Sequence, residues 1–209
     1  MSTDPYVYPG TDVLRNKLDI RDADELARVE GRMATLALAE LGVEPLAGVY
    51  DLDHYRAFHR FIFGDLYQWA GQLRTVAIAK QDLYALPQHI ASYGAEVFGK
   101  LAAADWLRGR DRKGFLDGLT SVIGDVYALH PFREGNSRSL RALFTQLAGD
   151  AGYVLDWSRT DQTIRTDALF ASMRGVEAPL RAILADITFE AGTSRRPAQE
   201  NPDEPHRAS

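Results

Sequence analysis

The chain is expected to fold as an all-α bundle of about eight helices with one small β-hairpin flap. Three observations carry that expectation. Apolar residues recur at intervals of three and four through most long stretches of the 209 residues, the period of a helix with one buried face. A single segment, Leu73 to Leu86, breaks the rhythm with partial alternation and β-branched residues, which suits a short hairpin. Chain punctuation falls at the joints, at Gly42, Gly71, Pro87 and the His130-Pro131 pair.

Taken in order, Asp22 to Leu41 reads as the first helix. Asp22 is its cap, Glu25 follows three residues on, and Leu26, Val29, Met33, Leu36 and Ala37 share one face before Gly42 stops it. A second helix is expected from Leu52 to Trp69, with Tyr55, Phe58, Ile62 and Leu66 inward. After the flap, helices are expected at His89 to Leu107 and Lys113 to Leu129. The latter carries Phe115, Leu119, Val122, Val126 and Leu129, widened by Ile123 and Tyr127, and so belongs in the centre of the core. It ends at His130, because a residue before proline is pushed out of the helical region. A further helix should start near Asn136 or Ser137 and run to Ala151, with Leu140, Phe144 and Leu147 inward. Thr160 to Arg174 and Ala178 to Glu190 complete the bundle, and residues 191–209, rich in Pro, Arg, Ser and Glu, read as a disordered tail. Trp69, Trp106 and Trp157 read as core anchors.

Composition narrows the function. Hydrophobic residues make up 45% and charged residues 25%, and the net charge is −5. Non-specific nucleic-acid binding needs a net basic surface and is not expected. With no cysteine, there is no disulfide framework, thiolate metal site or cysteine nucleophile. No stretch reaches membrane-spanning length and the start lacks a secretory pattern, so a cytoplasmic location is the expectation.

The chemistry concentrates at His130-Pro131-Phe132-Arg133-Glu134-Gly135-Asn136-Ser137-Arg138. A core helix delivers His130 at its exit, and a second helix begins a few residues later. Helix starts expose unpaired N–H groups and partial positive charge, which makes them anion sites. Gly135 permits a turn conformation and close approach to a ligand. Asn136 is a favoured cap with a side-chain amide to offer. Arg138 and Arg141, three apart, lie on one helix face and suit polyphosphate oxygens. Glu134 fits that company by holding a divalent cation, and His130 is the natural general base for a hydroxyl. His54 and His59, five residues apart, sit on different faces and read as packing or surface residues. Glu25, Glu30 and Arg32 need nothing beyond solvent.

His130 to Arg141 resembles the Fic motif, HPFx(D/E)GN(G/K)RxxR, at every fixed position except Ser137. Asp4-Pro5-Tyr6-Val7-Tyr8-Pro9-Gly10 and Phe63-Gly64-Asp65-Leu66-Tyr67-Gln68-Trp69-Ala70-Gly71-Gln72-Leu73-Arg74 look like segments of bacterial Fic proteins of the cell-filamentation type. The resemblance implies a Fic domain over 1–190, with a core of about 50–190 behind a helical extension. It also implies a protein adenylyltransferase using ATP and Mg²⁺. On that reading His130 deprotonates a Tyr, Ser or Thr hydroxyl of a target protein and Glu134 holds Mg²⁺. Gly135 and Asn136, including the Asn136 side chain, cradle phosphate oxygens beside Ser137, while Arg138 and Arg141 bind the β- and γ-phosphates. The flap residues Val76, Ala77, Ile78, Ala79 and Lys80 clamp the target backbone by strand addition. Glycine is usual at position 137 in AMP-transferring members and lysine in Doc-like phosphotransferases, so Ser137 leaves a phosphate-transferring alternative. A regulator without catalysis is a second alternative.

Many relatives are inhibited by a helix carrying (S/T)xxxE(G/N), whose glutamate pairs with the second motif arginine. Here Glu30-Gly31 has Leu26, and Glu200-Asn201 has Arg196, where Ser or Thr is required. The resemblance therefore assigns inhibition, and a toxin role, to a pairing with a separate small antitoxin.

Overall fold

The computed structural model describes residues 4–192, and the expected tail from residue 193 on, with Glu200-Asn201, lies outside them. Seven α-helices occur among the described residues: α1 Ala23–Val43, α2 Leu52–Phe63, α3 Ile90–Ala103, α4 Arg112–Leu129, α5 Asn136–Asp150, α6 Gln162–Met173 and α7 Ala178–Ile187. Short 3₁₀ turns cover Pro87–His89, Asp105–Leu107 and Trp157–Arg159. No helix among these residues is long and apolar enough to cross a membrane.

The helix ends follow local chemistry. Asp22, Asp51, Asp111 and Asp161 each cap a helix by accepting a backbone N–H two or three residues ahead. Gly42 does not stop α1, which runs one residue past it; a single glycine costs only about 1 kcal/mol in a helix. Leu36 was expected on the buried face but is exposed, and Leu26 and Ala34 are the buried positions of α1. The second helix stops at Phe63 rather than Trp69, because the chain turns at residues 64–66 and again at 68–71.

α4 is the centre of the bundle. It packs against α3, α5, α6 and α7, and Phe115, Leu119, Ile123, Val126 and Leu129 are all buried along it. A second, smaller cluster joins α1 to α2 through Leu26, Ala34, Ile62, Phe63, Leu66, Tyr67 and Trp69. Leu41 and Ala142 pack against both clusters, so α5 lies along the seam between them.

Two strands form the one regular sheet among the described residues, β1 Tyr153–Leu155 and β2 Thr188–Glu190, paired antiparallel with Val154 opposite Phe189. Residues 188–190 were expected to continue the last helix. Instead the Thr188 hydroxyl bonds the Leu184 carbonyl, ending α7, and the next residues pair with β1. The hairpin expected at Leu73 to Leu86 shrinks to a single bridge, Ala79 to Leu83, around a turn. The reason is a buried arginine. Arg74 reaches the carbonyls of both arms, Val76 at 2.6 Å and Ala85 at 2.5 Å, and takes acceptors that a cross-strand ladder would use.

Candidate active site

α4 delivers His130 in a left-handed conformation, φ 41° and ψ 60°, a region that costs a non-glycine residue about 1–2 kcal/mol. The surroundings enforce it. The His130 N–H bonds the Val126 carbonyl at 3.3 Å. Arg74 Nε donates to the His130 carbonyl at 2.8 Å, and the Arg74 N–H donates to the Pro131 carbonyl at 2.9 Å. The imidazole stacks on Tyr84 with ring centres 3.7 Å apart and meets the edge of Tyr127 at 5.7 Å. Tyr84 in turn donates its hydroxyl proton to that of Tyr127. Burial, then the charges of Lys80 and Arg74, push His130 down to about 3. The ring is therefore neutral near pH 7, and its burial opposes protonation until an anion nearby offsets that cost.

The loop that follows is locked to α2. Phe132 is fully buried, its ring stacked on His59 at 3.9 Å and against Tyr55 at 5.1 Å. His59 Nδ1 accepts the Gly71 N–H at 2.8 Å, so the ring proton sits on Nε2 and is donated to the Glu134 carbonyl at 2.8 Å. His54 is bracketed in the same manner between the Tyr50 N–H and the Leu46 carbonyl. Both histidines thus pack inside, in keeping with the sequence expectation. Asn136 is not the helix cap. Its side chain donates to the Phe132 carbonyl at 2.8 Å and accepts the Phe132 N–H at 2.9 Å, so it closes the loop and has one amide N–H left for a ligand. The helix cap is Gly135, at φ +83°. A Cβ there would sit 2.3 Å from the Phe63 ring, so conformation and space both exclude a side chain.

Gly135 presents the start of α5 to a cavity of about 320 Å³ whose wall includes Lys80, Tyr127, Glu134, Ser137, Arg138, Arg141, Trp157 and Arg165. Four cations face one partly exposed carboxylate, which favours an anionic occupant. The N–H groups of the first turn add to that field. Arg141 is pressed toward losing its proton by burial and by the nearby charges of Arg165 and Arg138, a crowding that an anion would relieve. Glu134 accepts the Gly135 N–H at 2.8 Å and lies 3.5 Å from Arg138. His130 is not on this wall. It stands behind Tyr127, which is, and only 5% of it is exposed.

Of the flap residues, Lys80 reaches the cavity. Val76 and Ile78 are half-buried, whereas Ala77 and Ala79 are exposed. Trp157 is half-buried on the cavity wall, and Trp106 is half-buried as well, so of the three tryptophans only Trp69 is buried.

Two contributors escaped sequence reasoning. Arg74 is 2% exposed and wires the flap to the His130 carbonyl. Glu30 was expected in solvent, yet its side chain is only 12% exposed and pairs with Arg138 at 2.5 Å. One signal was available for it: Glu30-Gly31 matches the end of the inhibitory motif, although Leu26 does not match its start.

The buried histidines make stability depend on pH. His59 is pushed down to about 4, chiefly by burial, and His130 to about 3. The unfolded chain takes up these protons near pH 6.5. Both contributions are thus complete above that pH and are lost as pH falls through 5 toward 3. The urea midpoint should drop between pH 7 and pH 5 by the equivalent of roughly 2 kcal/mol per histidine; an unchanged midpoint would contradict neutral burial.

The domain is mostly helical, ends its central helix at a buried histidine and opens the next on a cationic cavity, the arrangement that the resemblance to the Fic motif implies. A model of the Fic/DOC family matches residues 49–148. The chain is 39% identical over 196 residues to the protein adenylyltransferase VbhT of Bartonella schoenbuchensis, covering 93% of this chain and 41% of VbhT. It is 39% identical to the probable protein adenylyltransferase y4lH of Sinorhizobium fredii, over 86% of this chain and 93% of y4lH. It is 34% identical to the probable protein adenylyltransferase Fic of Escherichia coli, over 91% and 95%. The chain belongs to the Fic/DOC family. It spans about two fifths of the length of VbhT and nearly all of the other two. Among solved structures, the N-terminal Fic domain of an effector from Bartonella sp. AR 15-3 superposes with a TM-score of 0.82 at 26% identity, covering 88% of this chain and 91% of that one. The BepC protein of Bartonella tribocorum, solved with AMPPNP, shares the fold at a TM-score of 0.83 and 24% identity, over 90% and 97%.

Proposed function

We propose that this chain transfers AMP from ATP to a Tyr, Ser or Thr hydroxyl of another protein. The observation that carries the reading is the cavity at the start of α5, where Lys80, Arg138, Arg141 and Arg165 converge within one residue layer of a neutral histidine. Relatives named protein adenylyltransferases, at 34–39% identity over most of the chain, support it.

In this mechanism the triphosphate lies against the first turn of α5. Backbone N–H groups at Asn136 to Arg138 and the side chains of Arg138 and Arg141 hold its oxygens, with Ser137 beside them, while the Gly135 N–H is held by Glu134. The target hydroxyl attacks the α-phosphorus while the bond from that phosphorus to the bridging oxygen breaks and pyrophosphate leaves. His130 takes the hydroxyl proton. Its position behind Tyr127 means that Tyr84 and Tyr127 govern which hydroxyl reaches it. Among the described residues no cluster of three or more His, Asp or Glu side chains forms a metal cage. Glu134 alone fits Mg²⁺, which takes one or two carboxylates and completes its shell with phosphates and water. Held there, the ion would neutralise phosphate charge. The arm at Ala77 to Lys80, exposed at Ala77, Ala79 and Lys80, is where the target backbone would lie by strand addition.

Residues 1–190 act as one unit on this reading, because Asp4 and Glu30, both outside residues 49–148, pair with Arg133 and Arg138. ATP as substrate suits the cytoplasm. A groove between α1 and α5 borders Arg141 and is lined by Leu38, Leu41, Phe58, Ala142 and Trp157. It suits an apolar partner helix bringing a carboxylate, the form an antitoxin would take.

Ser137 on the cavity wall keeps phosphate transfer as the second reading. Incubation of the chain and candidate targets with ATP labelled at the α- or the γ-phosphate separates the two. Label from the α-position alone is the expected result; label from the γ-position alone would replace the proposal with the second reading.

A further inference from the structure

Arg138 is held from outside its own motif. Glu30, on α1, accepts from Arg138 Nη2 at 2.5 Å. The other Glu30 oxygen accepts the hydroxyl of Tyr67, which is 1% exposed and stacked on Trp69 with ring centres 4.4 Å apart. Phe63 covers the guanidinium, with Cζ 4.7 Å from the ring centre. The carboxylate is thus fixed at both oxygens before any ligand arrives. Arg138 Nε and Nη1 make no hydrogen bond among the described residues, and the side chain lines the cavity.

Two roles are open to a carboxylate beside a phosphate-binding arginine: it can block the phosphate or aim the arginine. Place decides between them. Glu30 does not line the cavity and takes one N–H of the guanidinium, leaving the others for a ligand. A second carboxylate competes for the same nitrogen, since Glu134 Oε1 lies 3.5 Å from Arg138 Nη2. Without Glu30, Arg138 would close on Glu134 and withdraw both groups from the ligand.

We propose that Glu30, anchored by Tyr67, is a positioning residue that aims Arg138 into the cavity and keeps Glu134 free. The inference rests on the reading that nucleotide occupies this cavity.

The test measures ATP binding in the presence of Mg²⁺ by calorimetry, together with KM and kcat for transfer, on the full chain. Glu30→Gln keeps the shape and removes the charge. It should weaken ATP binding and raise KM by about 10-fold or more, the scale of a charge-assisted hydrogen bond, with kcat changed far less. Glu30→Asp should recover part of the loss, and Tyr67→Phe should lose a few-fold by freeing the carboxylate. In an Arg138→Ala background Glu30→Gln should add nothing, which a merely structural role would not produce. Should Glu30→Gln fail to fold, Tyr67→Phe decides by the same criterion. Parent-like binding in these variants, or tighter binding and faster transfer, overturns the inference alone. Failure of the parent chain to bind ATP overturns the functional reading and this inference with it.

Discussion

Alanine at position 130 is expected to lower the rate of AMP transfer by about 10²–10⁴-fold while leaving the affinity for ATP within a few-fold of the parent. The separation follows from the geometry. The arginines that face the cavity from α5 sit at its start, whereas His130 does not line the cavity and meets it only through the ring of Tyr127. Its conformation, at φ 41°, requires a careful control. Asparagine tolerates the left-handed region better than most residues, so His130→Asn removes the base with little change in backbone strain. Rate by label transfer and affinity by calorimetry should agree for the two variants. A parent-like rate would remove His130 from the chemistry, and a lost affinity would make its role structural.

The second large effect is expected at Arg74. Arg74→Leu fills part of the space but leaves the carbonyls of His130, Val76 and Ala85 without their donors. Leaving a buried polar group unsatisfied costs about 1–3 kcal/mol. Part of that is recovered as the flap relaxes into water, so a loss on the order of 3–5 kcal/mol in denaturant unfolding is the expectation. Lysine should rescue little, since one ammonium cannot span three diverging carbonyls in a plane. A loss under about 1 kcal/mol would mean that water replaces the guanidinium at these sites.

Most of the motif could be read from the chain because its chemistry is contiguous. His130, Glu134, Gly135, Arg138 and Arg141 fall within a dozen residues, and a helix exit followed by a helix start brings them together without long-range information. The central place of α4 was legible for a similar reason: its stripe is broad and uninterrupted. What could not be read depends on partners far away in sequence. Glu30 meets Arg138 across 108 positions, and nothing in the periodicity of α1 separates it from a solvated glutamate. Arg74 fails the usual pattern in the other direction, as a charge inside the protein. That one side chain also misled the reading of the flap: the alternation around it suggests a ladder, but the guanidinium bonds the carbonyls of both arms. Asn136 shows a subtler limit. Its type suits a cap or a phosphate contact, and only the position of Phe132 shows that it also closes the loop.

The seam position of α5 bears on which parts of this protein tolerate substitution. Ala142 packs against both apolar clusters, so altering the helix that faces the cavity perturbs the two halves of the molecule at once, and its sequence has little freedom. The outer edge of the arm, where Ala77 and Ala79 meet solvent, carries no such burden. On the function proposed above, substitutions there would alter which target protein is recognised and leave the packing beneath undisturbed.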